Sequence, residues 1–320
     1  MGATVESSTE KIATRVAYGK TLAELGKVNP NIVVLDADLS GSTQTKFFAK
    51  AFPERFFNMG IAEANMVSCA AGLAKAGKIP FVSSFAMFAA GRAWEQVRNS
   101  VAHNHANVKI CATHAGLTVG EDGASHQIIE DLALMKSIPG MTVIVPADAK
   151  ETEKVMQEIV NFNGPVYLRL GRLAVPVLFD EAYEFKIGKA NLVKEGTDLT
   201  IAACGVMVAI ALEAAQRLEK EYAKKIEVIN VASIKPLDAE TICKSVSKTK
   251  KIIVAEEHNI IGGLGESIAA ALLENSCTDI KFKRVGVDDR FGQSAKAEEL
   301  LVHYGLSADN LVNLALGMFS

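Results

Sequence analysis

Short runs of β-branched and apolar residues alternate with helix-length segments along this chain, and nothing breaks the alternation before residue 173. The runs are IVVLD (32–36), RFFNMG (55–60), PFVSS (80–84), VKICA (108–112), MTVIVP (141–146) and PVYLRL (165–170). A strand covered on both faces reads as a continuous apolar run, and a strict strand-helix order calls for parallel strands with helices on both sides. The expected fold is therefore α/β, a doubly wound and mostly parallel sheet. Helices are expected over residues 10–26, with Gly26 as stop signal, over AEANMVSCAAGLAKAG ending at Gly77, over 87–102 and over 149–161. The polar turn ADLSGSTQ opens a further helix through Phe47 and Phe48. Between residues 173 and 188 the pattern lapses into a proline-containing, acidic connection, which divides a first domain (1–178) from a smaller α/β domain (189–320). The second alternation runs through DLTIAAC, IEVINVA, KIIVAEE and IKFKRV, with helices over 206–222, 238–247 and 261–273.

The longest informative connection is THAGLTVGEDGASHQ (113–127). It leaves the carboxyl end of the VKICA run, where open α/β sheets bind ligands. A plain strand-to-helix link needs only a few residues, so a long one carrying His114, Glu121, Asp122 and His126 is a functional candidate. Its small residues allow sharp bends and close approach to a ligand. Histidine titrates near neutrality and moves protons during bond making. The spacing fits neither a helical metal pair nor a zinc site, so no metal ligand is expected from this chain.

Composition narrows the class further. With 320 residues, 49% of them apolar, and a net charge of −3, the chain suits a soluble two-domain enzyme and offers no electrostatic reason to bind nucleic acid or a membrane. Five scattered cysteines read as buried, reduced thiols, and the polar start MGATVESSTEK lacks the apolar core of a signal peptide. The longest apolar run, 199–212, is too short to span a bilayer. A cytoplasmic location is expected.

Two stretches carry a family resemblance. THAGLTVGEDGASHQIIED resembles the transketolase loop, and RFFNMGIAEANM resembles the segment bearing that family's cofactor-activating glutamate. The motif order, from Arg15 through ADLSGS, GIAEANM, SSFAMF and GEDGASHQ to Arg172, is similar over essentially the whole chain, which corresponds to the pyrimidine-binding and C-terminal domains of a full-length transketolase.

Glu63 stands where a short strand turns into a helix, among Met59, Ile61 and Met66, and apolar surroundings favour a carboxyl that shares a proton with a ligand nitrogen. The resemblance implies that it hydrogen-bonds the aminopyrimidine of thiamine diphosphate and promotes the imino tautomer that deprotonates the thiazolium. It also implies that Phe85 and Phe88 pack on the pyrimidine and that Asp38 and Leu39 line the cofactor. Arg15, Ser42, His114 and Arg172 match sugar-phosphate contacts, with Arg169 competing for the role of Arg172; Asp122 and His126 match contacts to donor-sugar hydroxyl and carbonyl groups. His114 and His126 are expected to serve the chemistry as well as binding. In the second domain, GGLGES (262–267) lacks the phosphate-loop lysine and reads as close packing at a helix start.

No GDG-type diphosphate and metal motif is present. The resemblance then implies one subunit of a split transketolase. An N-terminal partner would carry the diphosphate domain and its Mg2+ or Ca2+, the assembly would be an α2β2 heterotetramer, and the substrates would be phosphorylated sugars of the pentose phosphate pathway. The alternatives are deoxyxylulose-phosphate synthase, the β-subunit of a 2-oxoacid dehydrogenase, and a non-catalytic regulatory subunit. The length of the loop, His114 and GEDG favour transketolase, and intact Glu63, Asp122 and His126 speak against the regulatory subunit.

Overall fold

The computed structural model describes residues 10–319; the polar start that was read for a signal peptide lies almost wholly outside them. Seven strands form the first sheet, in the order Ser233–Lys235, Thr142–Ile144, Val166–Arg169, Lys109–Thr113, Ile79–Phe85, Ile32–Asp36 and Phe56–Asn58. All neighbours are parallel except the first pair, so the sheet is mostly parallel, as expected. The strand Ser233–Lys235 comes from beyond residue 189 and ties the two halves of the chain together.

The two faces of this sheet follow from the alternation of side chains along each strand. Ile32 and Val34 pack on one face with Tyr18, Leu22, Phe48 and Phe81, while Val33 and Leu35 pack on the other with Met66, Val67 and Val82. Helix Thr14–Val28 covers the first face and helix Glu63–Lys75 the second. Helix Thr14–Val28 leads into the amino end of strand Ile32–Asp36 and helix Glu63–Lys75 into that of the parallel strand Ile79–Phe85, so both helices have their amino ends at the carboxyl edge of the sheet. The second sheet has the order Lys281–Val287, Lys251–Asn259, Leu199–Ala203, Ile226–Asn230 and Asn191–Lys194, parallel apart from the last strand.

Several elements differ from expectation. The helix expected to open at ADLSGSTQ and continue through Phe47 and Phe48 is two short helices, Ser40–Thr43 and Lys46–Ala51, because Gln44 between them turns left-handed at φ 69°. The helix expected to stop at Gly26 runs on to Val28. The helix expected over 10–26 begins only at Thr14, because Lys11–Ala13 is drawn into an antiparallel pair with Ala174–Pro176. The single helix expected over 87–102 is instead two π-helical stretches, Met87–Arg92 and Val97–Ala102, on either side of a short α turn. Wide turns of this kind collect at functional sites. Of the cysteines, only Cys111 and Cys204 are buried; Cys243 and Cys277 are partly so, and Cys69 is exposed because it lies on the outer side of helix Glu63–Lys75.

GGLGES does pack closely at a helix start. The buried Glu256 carboxylate accepts from Leu264 N at 2.6 Å and Gly265 N at 2.8 Å, capping helix Leu264–Glu274. Burial nevertheless pushes this carboxyl from 4.5 up to about 7. A raised folded-state pKa stabilises fully below the unfolded value, and that contribution is lost as pH rises through the folded value. The stability of Glu256→Gln relative to wild type, measured by urea denaturation, should therefore improve by roughly 2–3 kcal/mol between pH 5 and pH 8. A pH-independent difference would show that Glu256 titrates alike in folded and unfolded chains.

Candidate active site

Glu63 is the first residue of its helix, where the short strand Phe56–Asn58 and the turn after it lead into the helix and the dipole favours a carboxylate. Its side chain is 1% exposed. Ser84 Oγ donates to Oε1 at 3.4 Å, and Arg92 Nη1 donates to Oε2 at 3.0 Å. The surroundings are thus not only apolar: a guanidinium that sequence reasoning did not identify sits on the carboxylate.

Phe85 ends the strand Ile79–Phe85 and is buried; Phe88, in the following π turn, is half-buried. Their rings stack with centroids 6.2 Å apart. Phe85 also stacks on His114 at 3.9 Å, and His126 meets Phe88 edge-on at 5.5 Å. Two residues 12 positions apart on the loop, His114 and His126, therefore close on the same aromatic pair.

His114 is buried, with Nδ1 2.9 Å from Thr113 Oγ1. Burial, then the positive charges of Arg15 and Arg172, depress its pKa to about 3, so the ring is neutral at working pH. In the tautomer whose Nδ1 accepts from the Thr113 hydroxyl, Nε2 carries the hydrogen and can donate to a ligand oxygen. His126 is half-buried with Nδ1 2.9 Å from Ser125 Oγ, and Asp122 is exposed at the end of the 3-10 turn Leu117–Asp122.

Arg15 lies on the first turn of its helix and donates from Nη1 to Ser42 O at 2.6 Å, so Ser42 engages it through the backbone. Its Nε is buried without a hydrogen-bond partner. Burial and the positive charge of the nearby Arg172 lower the pKa of Arg15. Arg172 is partly exposed and donates to Val119 O and to Glu121 Oε2. Arg169, the alternative to Arg172 in the sequence, is 6% exposed and donates to Asp131 at 2.8 Å and to Glu257 O at 2.9 Å. Asp38 is exposed, at φ 63°, and its carboxylate accepts from Asn58 Nδ2 at 2.8 Å; Leu39 N donates to Asp36 Oδ1 at 2.6 Å.

The second domain holds the loop in shape, a contribution sequence reasoning missed. The Glu257 carboxylate accepts from Thr118 N at 2.6 Å. It also fills the space beside Gly116, where a Cβ would stand 2.4 Å from it and where φ is +80°, so only glycine fits. Gln127 reaches across to Gln293 O at 3.0 Å. The run EEH (256–258) was a visible signal, since two adjacent acids at the end of a buried strand need partners.

These features define an α/β protein whose candidate site joins a flat aromatic face and one buried carboxylate to a neutral histidine and two arginines. Family models described as "Transketolase, pyrimidine binding domain" and "Transketolase, C-terminal domain" match residues 10–177 and 188–311. The chain belongs to the transketolase family, whose pyrimidine-binding and C-terminal domains it comprises. It is 52% identical over 299 residues to a putative transketolase C-terminal section of Methanocaldococcus jannaschii, covering 93% of each. A 6-deoxy-6-sulfo-D-fructose transketolase subunit of Clostridium sp. is 41% identical, with 94% of this chain and 92% of that one covered. Human transketolase is 36% identical across 97% of this chain, which spans 50% of the human protein. The solved "Split gene transketolase, inactive beta4 tetramer" superposes with a TM-score of 0.88 at 51% identity, covering 97% of this chain and 98% of that one.

Proposed function

We propose that this chain is the C-terminal subunit of a split, thiamine diphosphate-dependent transketolase, moving a two-carbon ketol unit from a ketose phosphate to an aldose phosphate in the pentose phosphate pathway. The carrying observation is the buried Glu63 carboxylate beside the Phe85–Phe88 pair, with His114 and His126 closing on the same rings. The transketolase family uses this cofactor, and the donor set fits its pyrimidine end: an aromatic face for stacking and one carboxylate for a ring nitrogen. When bound, thiamine diphosphate supplies the electron sink that lets a carbon–carbon bond next to a carbonyl break and re-form.

The chain's own residues would then divide the work. Glu63 holds a proton against the pyrimidine nitrogen, while Asp38 and Leu39 line the cofactor. Neutral His114 donates to a substrate oxygen, and His126 with Asp122 orients the donor's hydroxyl and carbonyl groups. Arg15, with Ser42 beside it, and Arg172 bind the substrate phosphate; the unpartnered Arg15 Nε supports an anion there. On this reading Mg2+ or Ca2+ and the diphosphate would be held by an N-terminal partner, since the sequence carries no GDG-type motif for them. The split-gene relative, a β4 tetramer titled inactive, supports the same need, with α2β2 as the working assembly. The Clostridium relative, named for a sulfonated sugar, makes the anionic group a feature to test.

Arg15→Ala or Arg172→Ala in the assembled enzyme should raise KM for phosphorylated donors about 10–150-fold, the range of a charge-assisted contact worth roughly 1.5–3 kcal/mol. KM for hydroxypyruvate, which has no phosphate, should change far less. Equal effects on both donors would make the arginines structural and remove the phosphate clamp from this reading.

A further inference from the structure

Arg92 stands in the place that this reading gives to the pyrimidine. Its Nη1 donates to Glu63 Oε2 at 3.0 Å, and its guanidinium covers the Phe88 ring with Cζ 4.6 Å from the centroid. A flat nitrogen heterocycle seated here would use the same two partners, the carboxylate for a ring nitrogen and the aromatic face for stacking. A guanidinium meets both demands because it is planar, stacks on aromatic faces and carries N–H donors at its rim. The Arg92 side chain is 51% exposed whereas that of Glu63 is 1% exposed, so the cation reaches in from solvent and can withdraw without opening the core. Phe88 and Arg92 are four residues apart within the helical stretch Met87–Arg92, a spacing that puts them on one side of the segment.

We propose that Arg92 is an internal occupant of the pyrimidine seat, paired with Glu63 until the cofactor displaces it, and that it thereby sets cofactor affinity. The inference rests on the reading of Glu63 and Phe88 as that seat. An unpaired buried carboxylate is costly, so Arg92 stabilises the chain before the cofactor arrives. The same pairing weakens binding, because only the fraction of molecules with Arg92 withdrawn is competent.

The test is calorimetric titration of thiamine diphosphate, with Mg2+, into the complex of this chain and its diphosphate-bearing partner. Arg92→Gln should bind roughly 5–20-fold more tightly than wild type, the effect of removing one partly exposed charge-assisted competitor. Arg92→Lys, which keeps the charge but cannot lie flat on Phe88, should fall between them. Unchanged or weaker binding in Arg92→Gln overturns the proposal. Glu63→Ala in the same titration separates the two levels of inference. If it weakens binding while Arg92→Gln fails to tighten it, displacement alone is wrong; if it changes nothing, the seat itself is misassigned and both fall. A cofactor-bound structure should show Arg92 turned out to solvent, and an intact Arg92–Glu63 pair there would also refute displacement.

Discussion

Glu63→Gln should lower the activity of the assembled enzyme by at least about 10²–10⁴-fold, the usual cost of losing a positioned acid/base group. The substitution keeps size and hydrogen-bonding capacity, so folding and subunit association should survive. Arg92 would lose an anionic partner, but its side chain is half-exposed and can turn to water. The fall should be equal for every donor, because cofactor activation precedes any choice of sugar, and phosphate binding by Arg15 and Arg172 should be nearly untouched. The direct observable is hydrogen–deuterium exchange at C2 of the bound thiazolium, followed by acid quench and NMR. Exchange as fast as in wild type would remove Glu63 from cofactor activation, whatever its place in the motif.

The second large effect concerns the chain by itself. Purified without a partner, it should show no transketolase turnover and no tight binding of thiamine diphosphate. On the proposed reading Glu63, Phe85 and Phe88 would grip only the pyrimidine end, and burying one flat ring cannot replace the charge-assisted contacts that a diphosphate and its metal require. Adding the partner should restore both together, with one cofactor per Glu63. Turnover of a ketose phosphate in the verified absence of any second chain would overturn the split-enzyme reading.

The α/β class was legible because the information is local. Runs such as IVVLD and VKICA are apolar at all but one position each, as strands covered on both faces tend to be, and all five residues of Ile32–Asp36 are buried, the charged Asp36 included. Helix Ala149–Asn161 begins after Asp148, whose side chain accepts from Glu151 N, a start signal readable in the residues themselves. Errors came where pairing partners are distant. Lys11–Ala13 leaves the helical pattern only because Ala174–Pro176 lies beside it, more than 150 residues later in the chain. The π turns around Arg92 were invisible for another reason: the small residues Ala89, Ala90 and Ala93 suit an α-helix as well, and packing against the sheet chooses between them.

By itself the sequence determined the alternation of strands and helices, the place of the long loop at a strand's carboxyl end, and the candidacy of Glu63, His114 and His126. The alternation, the loop and its histidines follow from residue type and spacing along a short stretch, and Glu63 from the resemblance of RFFNMGIAEANM to a family segment. Only the tertiary structure decided that Arg169 is engaged by Asp131 while Arg172 pairs with Glu121 of the loop, that Arg92 lies on Glu63, and that Glu257 braces the loop from 139 residues away. The physical reason is that periodicity says which side of an element is buried, whereas the partner a charged side chain finds depends on how separate elements dock. A buried ion pair or a carboxylate on a backbone N–H persists only where both halves arrive together, and no local pattern records that meeting.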